Sequence, residues 1–144
     1  VHEIFTIGYE GLVQNQLLDL TTSAGVRVVL DVRAVAASRK AGFSKTVLAS
    51  SLGSKGVGYV HDVRLGTPKA GRDAVRSGRV SEMIAIFDAH MQSEPAQAAL
   101  ARAVSLAQTQ PTCLLCFERS AHDCHRNILA HMIRARTGQA IRHL

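Results

Sequence analysis

The stretch Leu114-Leu115-Cys116-Phe117-Glu118-Arg119-Ser120-Ala121-His122-Asp123-Cys124-His125-Arg126 changes character twice. Leu114 to Phe117 are apolar and too few for a helix, which predicts a strand covered on both faces. Ile128, Leu129, Met132 and Ile133 then recur at helical spacing, and Asp123 is a favoured N-cap residue, so Cys124, His125 and Arg126 are predicted as the first three residues of that helix. Strand, polar turn and helix in this order make a β–α unit. In open α/β sheets such turns, at the carboxyl ends of the strands, are where ligands bind.

The same alternation extends toward both ends of the chain. Glu3 to Ile7 reads as a short strand, and Val13, Leu17, Leu20 and Ala24 follow at helical spacing up to Gly25. Val26 to Val32 is a nearly continuous apolar run ending in Asp31-Val32-Arg33, and Ser44 can cap a short helix carrying Val47, Leu48 and Leu52. Val57 to His61 supplies a third strand. Val80 to Met91 and Ala96 to Gln108 are predicted helices punctuated by Glu94-Pro95, and Ala140 to His143 is a candidate edge strand after Thr137-Gly138. The expectation is an α/β fold: a single compact domain over residues 1–144, with a mostly parallel β-sheet of four to five strands flanked by helices on both faces.

A hydrophobic fraction of 47%, without a stretch approaching the roughly 18 apolar residues of a membrane span, predicts a globular chain with no membrane partner. Val1-His2-Glu3-Ile4-Phe5 lacks the basic start and apolar run of a signal peptide, so a cytoplasmic location is expected. Three cysteines are too few for a disulfide framework and are expected as thiols. The net charge of +6 favours an anionic ligand, in the extreme a nucleotide or nucleic acid. Arg64, Lys69, Arg72, Arg76 and Arg79 face the single acid Asp73 in a segment with three glycines and Pro68. It is predicted to be a mobile basic loop, which either grips phosphate or is simply solvated.

Cys124, at a helix start beside Arg126, would have a depressed thiol pKa and is a candidate nucleophile or redox-sensitive thiol. The bland alternative is a small buried residue, with His125 a hydrogen-bonded core histidine. Glu118 closes an apolar strand: burial would raise its pKa and suit acid–base work, whereas an ion pair with Arg126, Arg33 or Arg39 would lower it. Cys113 and Cys116 lie three apart on an extended segment, point to opposite faces and cannot share a metal. A site from Cys116, Cys124 and His125 does not match the usual zinc spacings, so no metal or other cofactor is predicted. Cys113 to Arg119 has the Cys-x5-Arg spacing of a phosphatase loop, but Leu114 to Phe117 belong in a sheet. The better anion seat is the start of the last helix. Arg33, Ser38, Arg39 and Lys40 add donors in the loop after the second strand, and Tyr9, between Gly8 and Glu10, either stacks on a base or covers the core edge.

Thr6-Ile7-Gly8-Tyr9, Asp31-Val32-Arg33 with Ser38-Arg39 and Gly42-Phe43, Tyr59 with Leu65-Gly66, and Cys116-x-Glu118 followed by Cys124-His125-Arg126 resemble the bacterial and archaeal family called domain of unknown function 488. The likeness covers nearly the whole chain and implies a compact α/β domain without an established reaction. Its motif positions fall on Gly8, Asp31, Arg33, Ser38, Arg39, Tyr59, Gly66, Cys116, Glu118, Cys124, His125 and Arg126. The chain departs from the pattern at Ala36 and at Ser120-Ala121, where the family often has prolines and an aspartate.

The leading expectation is an enzyme acting on a phosphate-bearing small molecule or nucleic acid in a pocket at the carboxyl ends of the strands. Arg33, Arg39 and Arg126 would hold anionic groups, Glu118 would be the general acid/base and Cys124 the nucleophile. Gly8, Tyr9, Asp31, Ser38, Cys116 and His125 complete the candidate binding residues, with Asp31 orienting Arg33 or a substrate hydroxyl. The rivals are a non-catalytic nucleic-acid-binding module and a thiol- or metal-based sensor.

Overall fold

Apolar runs that bury every residue belong at the centre of a sheet covered on both sides. Three segments do so: β1 (Ile4–Gly8), β2 (Val28–Asp31) and β4 (Thr112–Cys116). The computed structural model describes residues 2–144; Val1, where the segment read for a leader begins, lies outside them. Two more exposed strands, β3 (Gly58–His61) and β5 (Ile141–His143), take the edges. The order is β3-β2-β4-β1-β5 and all four pairings are parallel. The chain is a single α/β domain, as its strand and helix periodicities predict.

Alternating side chains along the strands build two cores. On one face Phe5, Ile7, Val29, Cys113 and Leu115 pack against α1 (Gln14–Ser23) and α2 (Lys45–Ser54) through Leu17, Leu18, Leu48 and Leu52. On the other, Ile4, Leu30, Leu114 and Cys116 meet α3 (Lys69–Arg76), α4 (Val80–Met91), α5 (Glu94–Thr109) and α6 (His125–Thr137). Cys113 and Cys116 thus face opposite cores, as their spacing on a strand requires. Among the described residues no helix is long and apolar enough to cross a membrane.

Two local expectations need correction. The 64–79 segment is not a mobile loop: a 3₁₀ turn (Val63–Leu65) leads through Pro68 into α3. Pro68 presets a turn-compatible φ, Asp73 pairs with Lys69 at 2.9 Å and Arg76 at 3.4 Å, and Ala74 is buried. Gly71 sits inside this helix because a Cβ there would overlap the Thr67 methyl group, so a residue that reads as a loop signal is a packing requirement. The second correction concerns the last helix. Asp123 ends a 3₁₀ turn (Ala121–Asp123), and Cys124 is the N-cap of α6, its Sγ accepting from the Arg126 amide at 3.5 Å. Cys124 is therefore extended backbone, and His125 is the first helical residue.

Candidate functional site

Parallel pairing aligns Gly8 with Cys116 and Asp31 with both Leu115 and His61, so the segments after β1, β2, β3 and β4 leave one edge of the sheet together. They enclose a crevice of about 780 Å³ into which α3 also projects. Its place, where helices change from one face of the sheet to the other, is the usual ligand position in such folds.

The crevice floor is made of sulfur and imidazole. Cys116 at the end of β4 and Cys124 at the cap of α6 meet as a disulfide across eight residues, correcting the expectation that all three cysteines stand as separate thiols. Cys113 is the remaining cysteine, and burial pushes its thiol pKa up. His125 Nδ1 lies 3.7 Å from both Cys116 Sγ and Cys124 Sγ. Its Nε2 donates to the Val32 carbonyl at 2.7 Å, which leaves Nδ1 as the nitrogen with the lone pair. Burial holds the His125 pKa down at about 4 against that hydrogen bond, and the ring stands edge-on to Phe87 with centroids 5.1 Å apart. The sulfur and nitrogen atoms of Cys116, Cys124 and His125 all lie within 4.8 Å of one another.

Glu118 stands beside this cluster, with Oε2 3.1 Å from Cys116 Sγ. Burial raises its pKa, while the charge of Arg126 pulls in the opposite direction without overcoming the effect. Among the described residues no salt bridge reaches it. Of the two opposite shifts foreseen for Glu118, the upward one prevails.

Arg33 and Asp31 form a buried unit at the crevice wall. Asp31 accepts from Arg33 Nε at 2.9 Å and from Nη2 at 2.7 Å; Tyr59 donates its hydroxyl to the same carboxylate. Arg33 Nη1 donates to the Phe43 carbonyl at 2.7 Å and to the Tyr9 hydroxyl at 3.3 Å. Burial alone would lower the Arg33 pKa, but the Asp31 carboxylate outweighs it and the pKa rises. For Tyr59, burial and then the same carboxylate raise it. Asp31 thus orients Arg33, and the guanidinium is spent largely on the protein. Tyr9 stacks on Phe43 at 4.5 Å between centroids and is only 4% exposed, so it covers the edge of the core.

Arg126 is turned away from the crevice. It is 1% exposed; Nη1 donates to the Glu118 carbonyl at 2.6 Å, Nη2 to the Arg119 carbonyl at 3.2 Å and Nε to the Thr6 hydroxyl at 3.2 Å. Burial lowers its pKa to about 10. Its charge therefore fastens the turn after β4 onto β1. Gly8 completes this contact: a Cβ there would overlap the Glu118 carbonyl oxygen. Arg119 adds a hydrogen bond to the Gly8 carbonyl at 3.2 Å.

Besides Arg33, the cations that line the crevice among the described residues are Arg39, Lys40, Arg72 and Arg76; Arg72 Nη1 donates to the Thr67 carbonyl at 2.9 Å and Arg76 pairs with Asp73. Ser38 lines it too, held by its amide donating to Ser44 Oγ at 2.9 Å. The sequence marks Arg39 as a candidate anion-binding residue, and Arg72 and Arg76 as cations of the basic segment expected either to grip phosphate or to be solvated. Their i, i+4 spacing puts both on one helix face, a signal readable once α3 is recognised. Phe117, exposed at the mouth, and Met83 are lining residues that sequence reasoning passed over.

No curated protein and no solved structure matches the chain. A family model does, over residues 14–133, a span that holds the Asp31–Arg33 unit, Arg39, Glu118 and the whole Cys116/Cys124/His125 cluster. The chain therefore belongs to the family described as domain of unknown function DUF488.

Proposed function

We propose that the chain is an enzyme acting on a small phosphate-bearing molecule in this crevice, with the reduced Cys124 thiol as its reactive group. One observation carries the reading: Cys116, Cys124 and His125 converge on the floor of a crevice whose rim presents Arg39, Lys40, Arg72 and Arg76. Cations around a partly dry pocket hold a phosphate more firmly than the same groups in open water. In the dithiol state the Cys124 thiolate, its proton given up to water, attacks the phosphorus of the bound ester, and the P–O bond to the leaving alcohol breaks. Water then cleaves the cysteinyl phosphate to phosphate and free thiol, while the neutral His125 imidazole, its Nδ1 3.7 Å from Cys124 Sγ, orients the sulfur. Glu118 is placed to protonate the departing group. Disulfide formation with Cys116 removes the nucleophile, so activity should require reduction.

The reading is tested by screening the reduced protein for turnover of phosphomonoesters and mononucleotides. Turnover is expected to disappear on oxidation, return with a thiol reductant, and fall by about 10³-fold or more in Cys124→Ser. Arg72→Gln should raise KM while leaving kcat nearly unchanged, because it removes ground-state binding of the anion. Full turnover by the disulfide form or by Cys124→Ser would overturn the assignment.

A further inference from the structure

We propose that the reduced Cys116/Cys124/His125 cluster binds a thiophilic d¹⁰ metal ion, Zn²⁺ or Cu⁺, which acts as a reversible block on the site. The donor set is two thiolates and one imidazole, the combination that borderline and soft cations prefer. Its geometry is already near what an ion needs. With Zn–S near 2.3 Å and Zn–N near 2.0–2.1 Å, a tetrahedral ion requires sulfur–nitrogen separations of about 3.6 Å and a sulfur–sulfur separation of about 3.8 Å. His125 Nδ1 stands 3.7 Å from each sulfur, so two of the three edges match without movement. Only the sulfurs must part, and reduction of the disulfide is the event that lets them.

The imidazole is prepared for this role. Its Nε2–H is fixed on the Val32 carbonyl at 2.7 Å, so the lone pair on Nδ1 points toward the sulfurs; a backbone carbonyl on the far nitrogen is the common support of a metal-ligating histidine. Phe87 packs against the ring and restricts its rotation. Both cysteines line the crevice, which gives an ion an entry path, and the Glu118 carboxylate beside Cys116 is at hand for the fourth position. The sequence separation of the three ligands matches no common zinc spacing because they come from the end of β4 and the start of α6, joined by a turn that Arg126 pins in place. Ion and disulfide engage the same two sulfurs and exclude each other. Either one withdraws Cys124 from chemistry, which leaves the metal-free dithiol as the reactive state.

The test uses the full chain, reduced by a phosphine and freed of metal under anaerobic conditions, with Zn²⁺ titrated against a chromophoric chelator and Co²⁺ as a spectroscopic probe. One equivalent of Zn²⁺ and a thiolate-to-Co²⁺ charge-transfer band are expected. Cys116→Ser and His125→Ala should each weaken binding at least about tenfold. A second measurement needs no variant: Zn²⁺ should protect Cys116 and Cys124 of the wild-type chain from alkylation, and the disulfide form should take up no ion. No stoichiometric uptake by the reduced wild-type chain, or equal uptake by the disulfide form, would overturn the proposal. The block rests on the turnover reading, whereas uptake of the ion does not: no substrate enters these measurements, so a failure to bind Zn²⁺ would leave the turnover reading standing, and a failure of turnover would leave the metal site standing without its blocking role.

Discussion

Asp31 is a fully buried carboxylate whose charge is answered from three directions: the Arg33 side chain, the Arg33 amide at 3.1 Å and the Tyr59 hydroxyl. Removing one partner of such a pair strands the other charge without solvent. Asp31→Asn should therefore cost about 3–5 kcal/mol of stability, and Tyr59→Phe, which deletes one hydrogen bond, about 1–2 kcal/mol. Urea midpoints of the two variants check this; equal small losses would mean that Arg33 finds another partner. The residue types at Asp31, Arg33, Arg39, Glu118, Cys124, His125 and Arg126 were legible as a set, because charged and thiol groups at the ends of apolar runs stand out. Their directions were not. Arg33, Arg39 and Arg126 are chemically alike in the sequence, yet the first grips Asp31, the second lines the crevice and the third ties down the Glu118–Arg119 carbonyls.

At the scale of elements, the junction of β4 and α6 is the most constrained part of the site. The Cys116–Cys124 bond closes a loop across eight residues, and Arg126 fastens the same turn to β1. Closing a loop of that size lowers the entropy of the unfolded chain by an amount worth about 2–3 kcal/mol. The oxidised protein should therefore unfold at higher urea than the reduced one by that margin, and Cys116→Ser should abolish the difference. Denaturation curves with and without reductant measure it. The elements themselves were readable to within a residue or two wherever periodicity spoke, as for α4, which runs from Val80 to Met91 as predicted. α3 escaped because Gly71 and Pro68 are loop signals in isolation; the first is demanded by close packing and the second starts the helix.

At the scale of the whole molecule, one sheet separates two cores that are chemically similar and functionally unequal. Leu17 is fully buried on the α1 side and Phe87 fully buried on the α4 side. Leu17→Ala should cost about 2–5 kcal/mol and Phe87→Ala about 3–5 kcal/mol. Only the second should change the site, because Phe87 packs on the His125 ring. Alkylation of Cys124 in the reduced, still folded variants distinguishes them: its rate should shift in Phe87→Ala and stay near wild type in Leu17→Ala. Similar rates in both would show that the imidazole is held without Phe87.

The amino-acid sequence by itself determined the α/β architecture, the buried central strands and the edge of the sheet that carries polar chemistry. It did so because periodicity and strand-end polarity are local properties. The tertiary structure alone decided which cation faces the crevice, that Cys116 meets Cys124, and that His125 turns Nδ1 toward both sulfurs. Those outcomes depend on contacts across long separations, such as Val32 with His125 and Thr6 with Arg126. Residue spacing along a chain does not encode the direction of a side chain once two elements are packed together; the partners on the other element set it.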